Sequence, residues 1–320
     1  MCHPTAPRRI AIAGATGTAG RATAMALRDA GHAVLALGRR DPNLPGIDFQ
    51  QADMMDTGQL AASLRTAGVD GVVSCIASRT GAPADAWATD HDANLALLRA
   101  AQDAGVGQFI LLSAICVQKP RLAFQHAKRA FEDRLIGSGL RYGIVRPTAF
   151  FKSLSGQVER VRQGKPYLLF GRGDLTACKP ISNRDLGAYI VRCLDDPALA
   201  DRVLPIGGPG PALTPRDMGA ALFKLAGMPP RYRSVPPFLL RGVARGLDLG
   251  GRFTPRLGAK AEFARIGHYY ATESMLVWNA AEGRYDADAT PETGQDRLFD
   301  HFAALLAGRA LPERGDHAVF

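Results

Sequence analysis

Long apolar runs, paired cysteines and an N-terminal apolar leader are all missing from this chain, and each absence removes a class of protein. No stretch of about 18 uninterrupted apolar residues occurs, so a membrane-spanning helix is not expected. The opening "MCHPTAPRRIAIAGATG" reaches a strand-like run almost at once and has no signal-peptide core, which leads to the expectation of a cytoplasmic protein. Five cysteines (Cys2, Cys75, Cys116, Cys178 and Cys193) are scattered with no C-x-x-C spacing. That excludes a disulfide framework, structural zinc and an iron–sulfur cluster, and leaves buried thiols in a reducing compartment. The seven histidines show no metal-type spacing either, and no metal ligands are expected.

Acid is in short supply: 39 Lys and Arg stand against 30 Asp and Glu, a net charge of +9. Eight of the cations (Arg231, Arg233, Arg241, Arg245, Arg252, Arg256, Lys260 and Arg265) fall between residues 231 and 268, against Asp248 and Glu262 alone. Such a field suits an anionic substrate, an anionic lipid or nucleic acid, or it is a solvated face with no partner. Without a zinc finger, RNA-binding aromatics or a basic zipper, nucleic acid is not expected. Within the segment, "PPFLLRGVARGLDL" is moderately amphipathic and reads as a peripheral membrane contact or a substrate lid.

What is present is a core. A chain of 320 residues, 47% of them hydrophobic, holds one large α/β domain with or without a smaller partner region. From residue 8 to 150 one theme repeats: a short apolar run, a turn and an amphipathic helix. The runs are "RIAIAGA", "HAVLALG", "IDFQQAD", "DGVVSCIAS", "QFILLSA" and "YGIVRPT". Near-continuous apolar strands separated by helices predict a parallel sheet covered on both faces, a Rossmann-like doubly wound domain. Beyond 150 the alternation breaks down. Residues 151–310 read as a smaller C-terminal substrate-binding region partly built on the first domain, with Thr214 capping a helix that has Pro215 at its first position. Residues 311–320 read as a frayed tail.

"IAIAGATGTAGRATAMAL" places Gly14, Gly17 and Gly20 between the first strand and the first helix, with Thr16 and Thr18 in the same turn. Gly14 permits the tight turn, Gly17 lets the backbone approach a pyrophosphate, and Gly20 lets the helix sit close. The helix start then offers free N–H groups and the positive end of its dipole. Strand two ends not in an acid but in Gly38, Arg39 and Arg40. Two guanidinium groups suit a 2′-phosphate, so NADP(H), with NADPH as the working form, is expected over NAD. Topology adds Asp53 and Met54 beside the adenine, Ile76, Ala77 and Ser78 past the ribose, and Pro147 and Thr148 at the end of strand six.

A final absence is chemical. "LAFQHAKRAFEDRLIGSGLRYGIVRPTAFF", residues 122–151, resembles the catalytic helix and following strand of a short-chain dehydrogenase. Lys128 and Ser113 occupy the catalytic Lys and Ser positions, yet Phe124 stands four residues before Lys128, where a Tyr belongs. A carbonyl reductase protonates an alkoxide as it forms and needs that phenol. Reduction of a conjugated C=C spreads charge instead, so the Phe fits an ene-reductase or a nucleotide sensor without turnover.

"GATGTAGRA", "LLSAICVQKP", "FQHAKRAFEDRLI", "VRPTAFFKSLSGQVERVRQGKPYLLFG", "ACKPIS" and "IGHYYATESMLVWNAAEGRYDADATPETGQDRLFDHFA" together resemble the NADPH-dependent divinyl chlorophyllide a 8-vinyl reductases. These are atypical short-chain dehydrogenases of the NmrA-like group, and the resemblance runs over nearly the whole chain. It implies reduction of the 8-vinyl group of a 3,8-divinyl chlorophyllide or protochlorophyllide a to ethyl, in chlorophyll or bacteriochlorophyll synthesis. The lack of transit-peptide character points to a bacterial source. The magnesium-containing pigment is a flat tetrapyrrole bearing a propionate, so the resemblance also implies a wide apolar pocket with one or two cations. Phe124, Phe150, Arg265, His268 and Tyr269 are the candidate substrate contacts, and Phe253 is among the further aromatic wall candidates. An NmrA-type redox sensor and an ene-reductase for a small phenolic compound remain alternatives.

Overall fold

Consecutive apolar residues, not alternating ones, fill the strands of the first half. In the computed structural model, which describes residues 6–251 and 255–309, the order begins β1 (Arg9–Ala13), α1 (Thr18–Asp29), β2 (Ala33–Gly38), β3 (Asp48–Gln51), α2 (Thr57–Thr66) and β4 (Gly71–Ser74). Next come α3 (Pro83–Ala86), a π-helical turn (Trp87–Ala93), α4 (Asn94–Asp103), β5 (Gln108–Leu112), α5 (Ala123–Ile136) and β6 (Arg141–Pro147). Then follow α6 (Phe151–Leu154), α7 (Val158–Arg162), β7 (Tyr167–Phe170), α8 (Asn183–Asp195), β8 (Arg202–Ile206) and α9 (Pro215–Leu225). The chain closes with β9 (Tyr232–Val235), α10 (Phe238–Gly251), α11 (Pro255–Thr272), β10 (Val277–Asn279), β11 (Arg284–Asp286) and α12 (Leu298–Leu306). Cys2, Arg252, Phe253 and the tail 311–320 lie outside the described residues.

One sheet has the strand order β3-β2-β1-β4-β5-β6-β8, and every pairing from β3 to β6 is parallel. Ile10, Ile12, Val73, Phe109 and Ile110 are wholly buried in its central strands. Helices on both faces of a parallel sheet explain why those strands read as unbroken apolar runs. The strand order reverses between β1 and β4, which opens a crevice at their carboxyl ends, where ligands of such sheets bind.

The chain does not divide once near residue 150. One unit takes Met1–Ser78, Pro83–Pro147 and Asn183–Pro205, and the other takes Arg79–Ala82, Thr148–Ser182 and Ile206–Phe320. The expected boundary is therefore amended: α8 and nearly all of β8, read from sequence as part of the second region, belong to the first. Gly187 makes this return possible. A Cβ there would stand 2.9 Å from the Ala22 carbonyl oxygen, so the backbones of α8 and α1 touch.

In the second unit, Thr214 caps α9 as its spacing predicts. Its hydroxyl accepts from the Asp217 N–H at 3.2 Å, and Asp217 accepts from the Thr214 N–H at 2.9 Å. β7 pairs in parallel with β9, and β10 forms an antiparallel pair with β11. The stretch "ACKPIS" has its explanation here. Lys179 Nζ donates to Glu292 at 2.5 Å and to the Thr290 carbonyl at 3.1 Å, Ser182 donates to Asp296 at 2.7 Å, and the Lys179 carbonyl accepts from the Thr148 hydroxyl. Pro180 passes so close to Gly208 that a Cβ on the glycine would overlap its carbonyl oxygen. "ACKPIS" and "ATPETGQD" are thus two halves of one fastening.

Replacing Gly187 by Ala drives a methyl into the α1 backbone and is expected to cost about 1–3 kcal/mol in urea unfolding. Gly38→Ala, with nothing within 4 Å of the new Cβ, should stay within about 0.5 kcal/mol of the parent.

Candidate nucleotide and reduction site

The turn after β1 is built by backbone proximity. Gly14 has φ +87°, and a Cβ on it would lie 2.6 Å from the Cys75 carbonyl oxygen just past β4. A Cβ on Gly20 would lie 2.2 Å from the Gly14 carbonyl oxygen, so the third glycine lets α1 close on the turn itself. Gly17 is different. Its Cβ would meet only that same oxygen, at an ordinary 3.5 Å, so packing does not demand a glycine there. The bare backbone at 17 leaves the space a phosphate needs, and exposed Thr16 and half-buried Thr18 flank it. Gly17 caps α1 with no side-chain hydrogen bond, which leaves first-turn N–H groups free for an anion. The turn fits a dinucleotide pyrophosphate.

Past β2, Arg39 and Arg40 are exposed and make no hydrogen bond or ion pair with the described residues. The nearest acid is already engaged, because Asp41 accepts from the Asn43 N–H at 2.8 Å. Asp53 is exposed and accepts from the Met55 N–H of its own loop at 3.0 Å, while Met54 packs against the core. Ile76 is buried, Ala77 exposed and Ser78 half-buried along the exit of β4.

Lys128 does not point into solvent. It is 8% exposed, and its Nζ lies 2.9 Å from Oδ1 of Asp90, a residue of the π-helical turn that sequence reasoning passed over. The same oxygen accepts from the Ser78 N–H at 3.2 Å. Asp90 Oδ2 is buried with no hydrogen-bond partner among the described residues. One carboxylate therefore joins the helix bearing Lys128 to the β4 exit expected along the ribose. π-turns of this kind recur at functional sites because they displace one residue from the helical ladder. Cys75 sits close by, and burial pushes its thiol up to about 12 against the opposing pull of a Thr23 hydrogen bond and the Lys128 charge. It is not a nucleophile near neutral pH.

Ser113 is placed otherwise than expected. Its hydroxyl donates to Glu132 Oε1 at 2.5 Å, and Glu132, wholly buried one turn after Lys128, also receives both the Nε and a terminal nitrogen of Arg146. With its only proton on a carboxylate, Ser113 cannot also donate to a substrate oxygen. It instead helps satisfy a charge that burial would otherwise make costly. Phe124 lies on the Lys128 face of α5, four residues earlier, half-buried. Pro147, the last residue of β6, is buried.

In the second unit, Thr148 is buried with its proton on the Lys179 carbonyl. Phe150 is half-buried and bridges to Ile181. Arg265 pairs at 2.7 Å with buried Glu262. Tyr269 is 3% exposed and packs edge-on to Tyr270, whereas His268 is half-exposed.

Comparison with known proteins decides the family. Residues 14–197 match the NAD(P)H-binding family. The chloroplastic divinyl chlorophyllide a 8-vinyl-reductase of Oryza sativa subsp. indica is 43% identical over 97% of this chain and 82% of its own length. Its Zea mays counterpart is 43% identical over 99% and 84%. This chain belongs to the divinyl chlorophyllide a 8-vinyl-reductase family. Membership spans the second unit as well as the first. Among solved structures, an NADPH-dependent quinone oxidoreductase of Escherichia coli in complex with NADPH superposes with a TM-score of 0.69 at 19% identity, over 92% of this chain and 99% of its own, which shows the fold. The expectation of a cytoplasmic protein is corrected by the family, since these rice and maize members are chloroplastic by name.

Removing one member of the buried pair strands the other. Lys128→Met is expected to cost about 3–5 kcal/mol in urea unfolding, and the double variant Lys128→Met/Asp90→Asn should recover a large part of it, giving a clear coupling energy in the double-mutant cycle.

Proposed function

We propose that this chain reduces the 8-vinyl group of a 3,8-divinyl chlorophyllide a or protochlorophyllide a to ethyl, with NADPH as reductant, in chlorophyll or bacteriochlorophyll synthesis. The observation that carries this reading is 43% identity to a named 8-vinyl-reductase over almost the entire chain. A nucleotide-binding domain alone would share its first unit with many other activities.

The residues support the chemistry. When bound, NADPH would supply a hydride to the terminal carbon of the 8-vinyl group, and the carbon next to the macrocycle would take a proton. Gly14, Thr16, Gly17, Thr18 and Gly20 hold the pyrophosphate on the start of α1. Arg39 and Arg40, with no partner among the described residues, pair with the 2′-phosphate, because the engaged Asp41 does not compete. Asp53 and Met54 flank the adenine, and Ile76, Ala77 and Ser78 follow the ribose. Lys128, fixed by Asp90, contacts the nicotinamide ribose, and Pro147 and Thr148 are kept as further nucleotide contacts. Phe124 offers a flat apolar wall to the macrocycle in place of a phenol, which a C=C reduction does not require. Ser113, whose proton rests on Glu132, supports the site from behind Lys128's helix rather than steadying a substrate oxygen. Of the expected substrate contacts, Phe150 and His268 keep accessible surface and are retained. Arg265, half-exposed though paired with Glu262, is retained with them, whereas Tyr269 is buried.

Anaerobic incubation with NADPH and 3,8-divinyl chlorophyllide a is expected to give a product heavier by two hydrogens with a blue-shifted Soret band. Binding of NADPH without turnover would overturn the assignment. Arg39→Ala/Arg40→Ala should raise KM for NADPH roughly ten- to a hundredfold and leave KM for NADH nearly unchanged.

A further inference from the structure

Helix α10 turns three of its apolar side chains outward. Phe238, Leu239 and Val243 are 61%, 48% and 52% exposed, against the usual direction of an amphipathic helix on a globular core. At about 100° per residue these three lie within an arc of about 140°. Arg241 and Arg245, both exposed, flank one edge of that arc. Phe263 of α11 adds another exposed apolar side chain, 49% accessible, beside exposed Lys260. From Arg231 to Phe263 the charged side chains described as exposed are all cations; Glu262 is buried and tied to Arg265.

We propose that this face of α10 docks on the surface of an anionic lipid bilayer. The occupant follows from the two halves of the patch taken together. Exposed aliphatic and aromatic groups enter the boundary between headgroups and acyl chains, while the flanking guanidinium groups meet lipid phosphates. A second copy of the chain would set this cluster of cations against an identical cluster, which opposes association. A nucleic acid would satisfy the cations and leave the aliphatic arc in water. No described helix is long and apolar enough to cross a membrane, so the contact lies flat on the surface. The inference is independent of the reaction proposed above.

Sedimentation of the full chain with vesicles tests it. Binding is expected to vesicles of mixed phosphatidylcholine and phosphatidylglycerol, to fall with added salt, and to be weak with phosphatidylcholine alone. Arg241→Gln/Arg245→Gln should lower partitioning about 30-fold, and Leu239→Ser/Val243→Ser should lower it comparably, with NADPH binding and thermal melting retained in both. Equal sedimentation of variants and parent, or no sedimentation of the parent, would overturn the proposal. So would a monomer–dimer equilibrium abolished by Leu239→Ser/Val243→Ser, which would give the face to a second copy. An apolar variant that binds vesicles normally but raises KM for dispersed pigment would make α10 a substrate lid instead.

Discussion

The ion pair between Lys128 and Asp90 is the constraint around which the first unit's functional end is arranged. Both charges are withdrawn from water, Asp90 almost completely, and withdrawing a charge is expensive unless its partner is held close. A 2.9 Å contact and a backbone N–H from Ser78 offset part of that cost, while the second carboxylate oxygen stays unpartnered. Such an arrangement survives only when three elements keep their positions at once: the exit of β4, the π-turn and α5. It therefore fixes the direction of the Lys128 side chain, which a solvent-facing lysine would not maintain. The same positive charge acts on Cys75, where it loses to burial, and the thiol stays protonated.

One turn further along α5, Glu132 repeats the device with different partners. Ser113 and Arg146 both donate to it, so the serine position inherited from the dehydrogenase scheme serves a buried carboxylate rather than a substrate oxygen. The absent phenol and the redirected serine agree with each other. A site that protonated an alkoxide would need both groups aimed at one oxygen, and here neither is available for that. What remains is a nucleotide cradle, a fixed lysine and an apolar face at Phe124, which suits addition of hydride to a conjugated double bond.

The strands of the parallel sheet, the glycine turn and the two arginines after β2 were legible because each is a local pattern: apolar runs of strand length, glycines at fixed offsets, and two cations where an acid is usual. The return of α8 and β8 to the first sheet was not, since its cause is a backbone contact between Gly187 and Ala22 that sequence spacing does not express. Asp90 left a faint signal. Counting back from Leu97 and Ala93 along the buried stripe of the helix reaches Asp90 and then Ala86, so a carboxylate sits where an apolar residue is expected, and such an exception is informative. Glu132 sits on the buried stripe of α5 in the same way. "ACKPIS" carried the family resemblance without a reason visible in the sequence, and the reason is a fastening inside the second unit. The cytoplasmic expectation rested on the opening residues alone and gave way to the company the chain keeps.

The central claim is that hydride adds to a vinyl carbon in a site where Phe124 stands in place of the dehydrogenase phenol, and isotope transfer tests it most directly. The reaction would be run with NADPH deuterated at either C4 position of the nicotinamide, and the pigment product read by NMR and mass. The account predicts one deuterium in the terminal methyl of the new 8-ethyl group from one C4 epimer and none from the other, with the neighbouring methylene drawing its hydrogen from solvent. Deuterium on a carbinol carbon, or none in the pigment while NADPH is consumed, would contradict it.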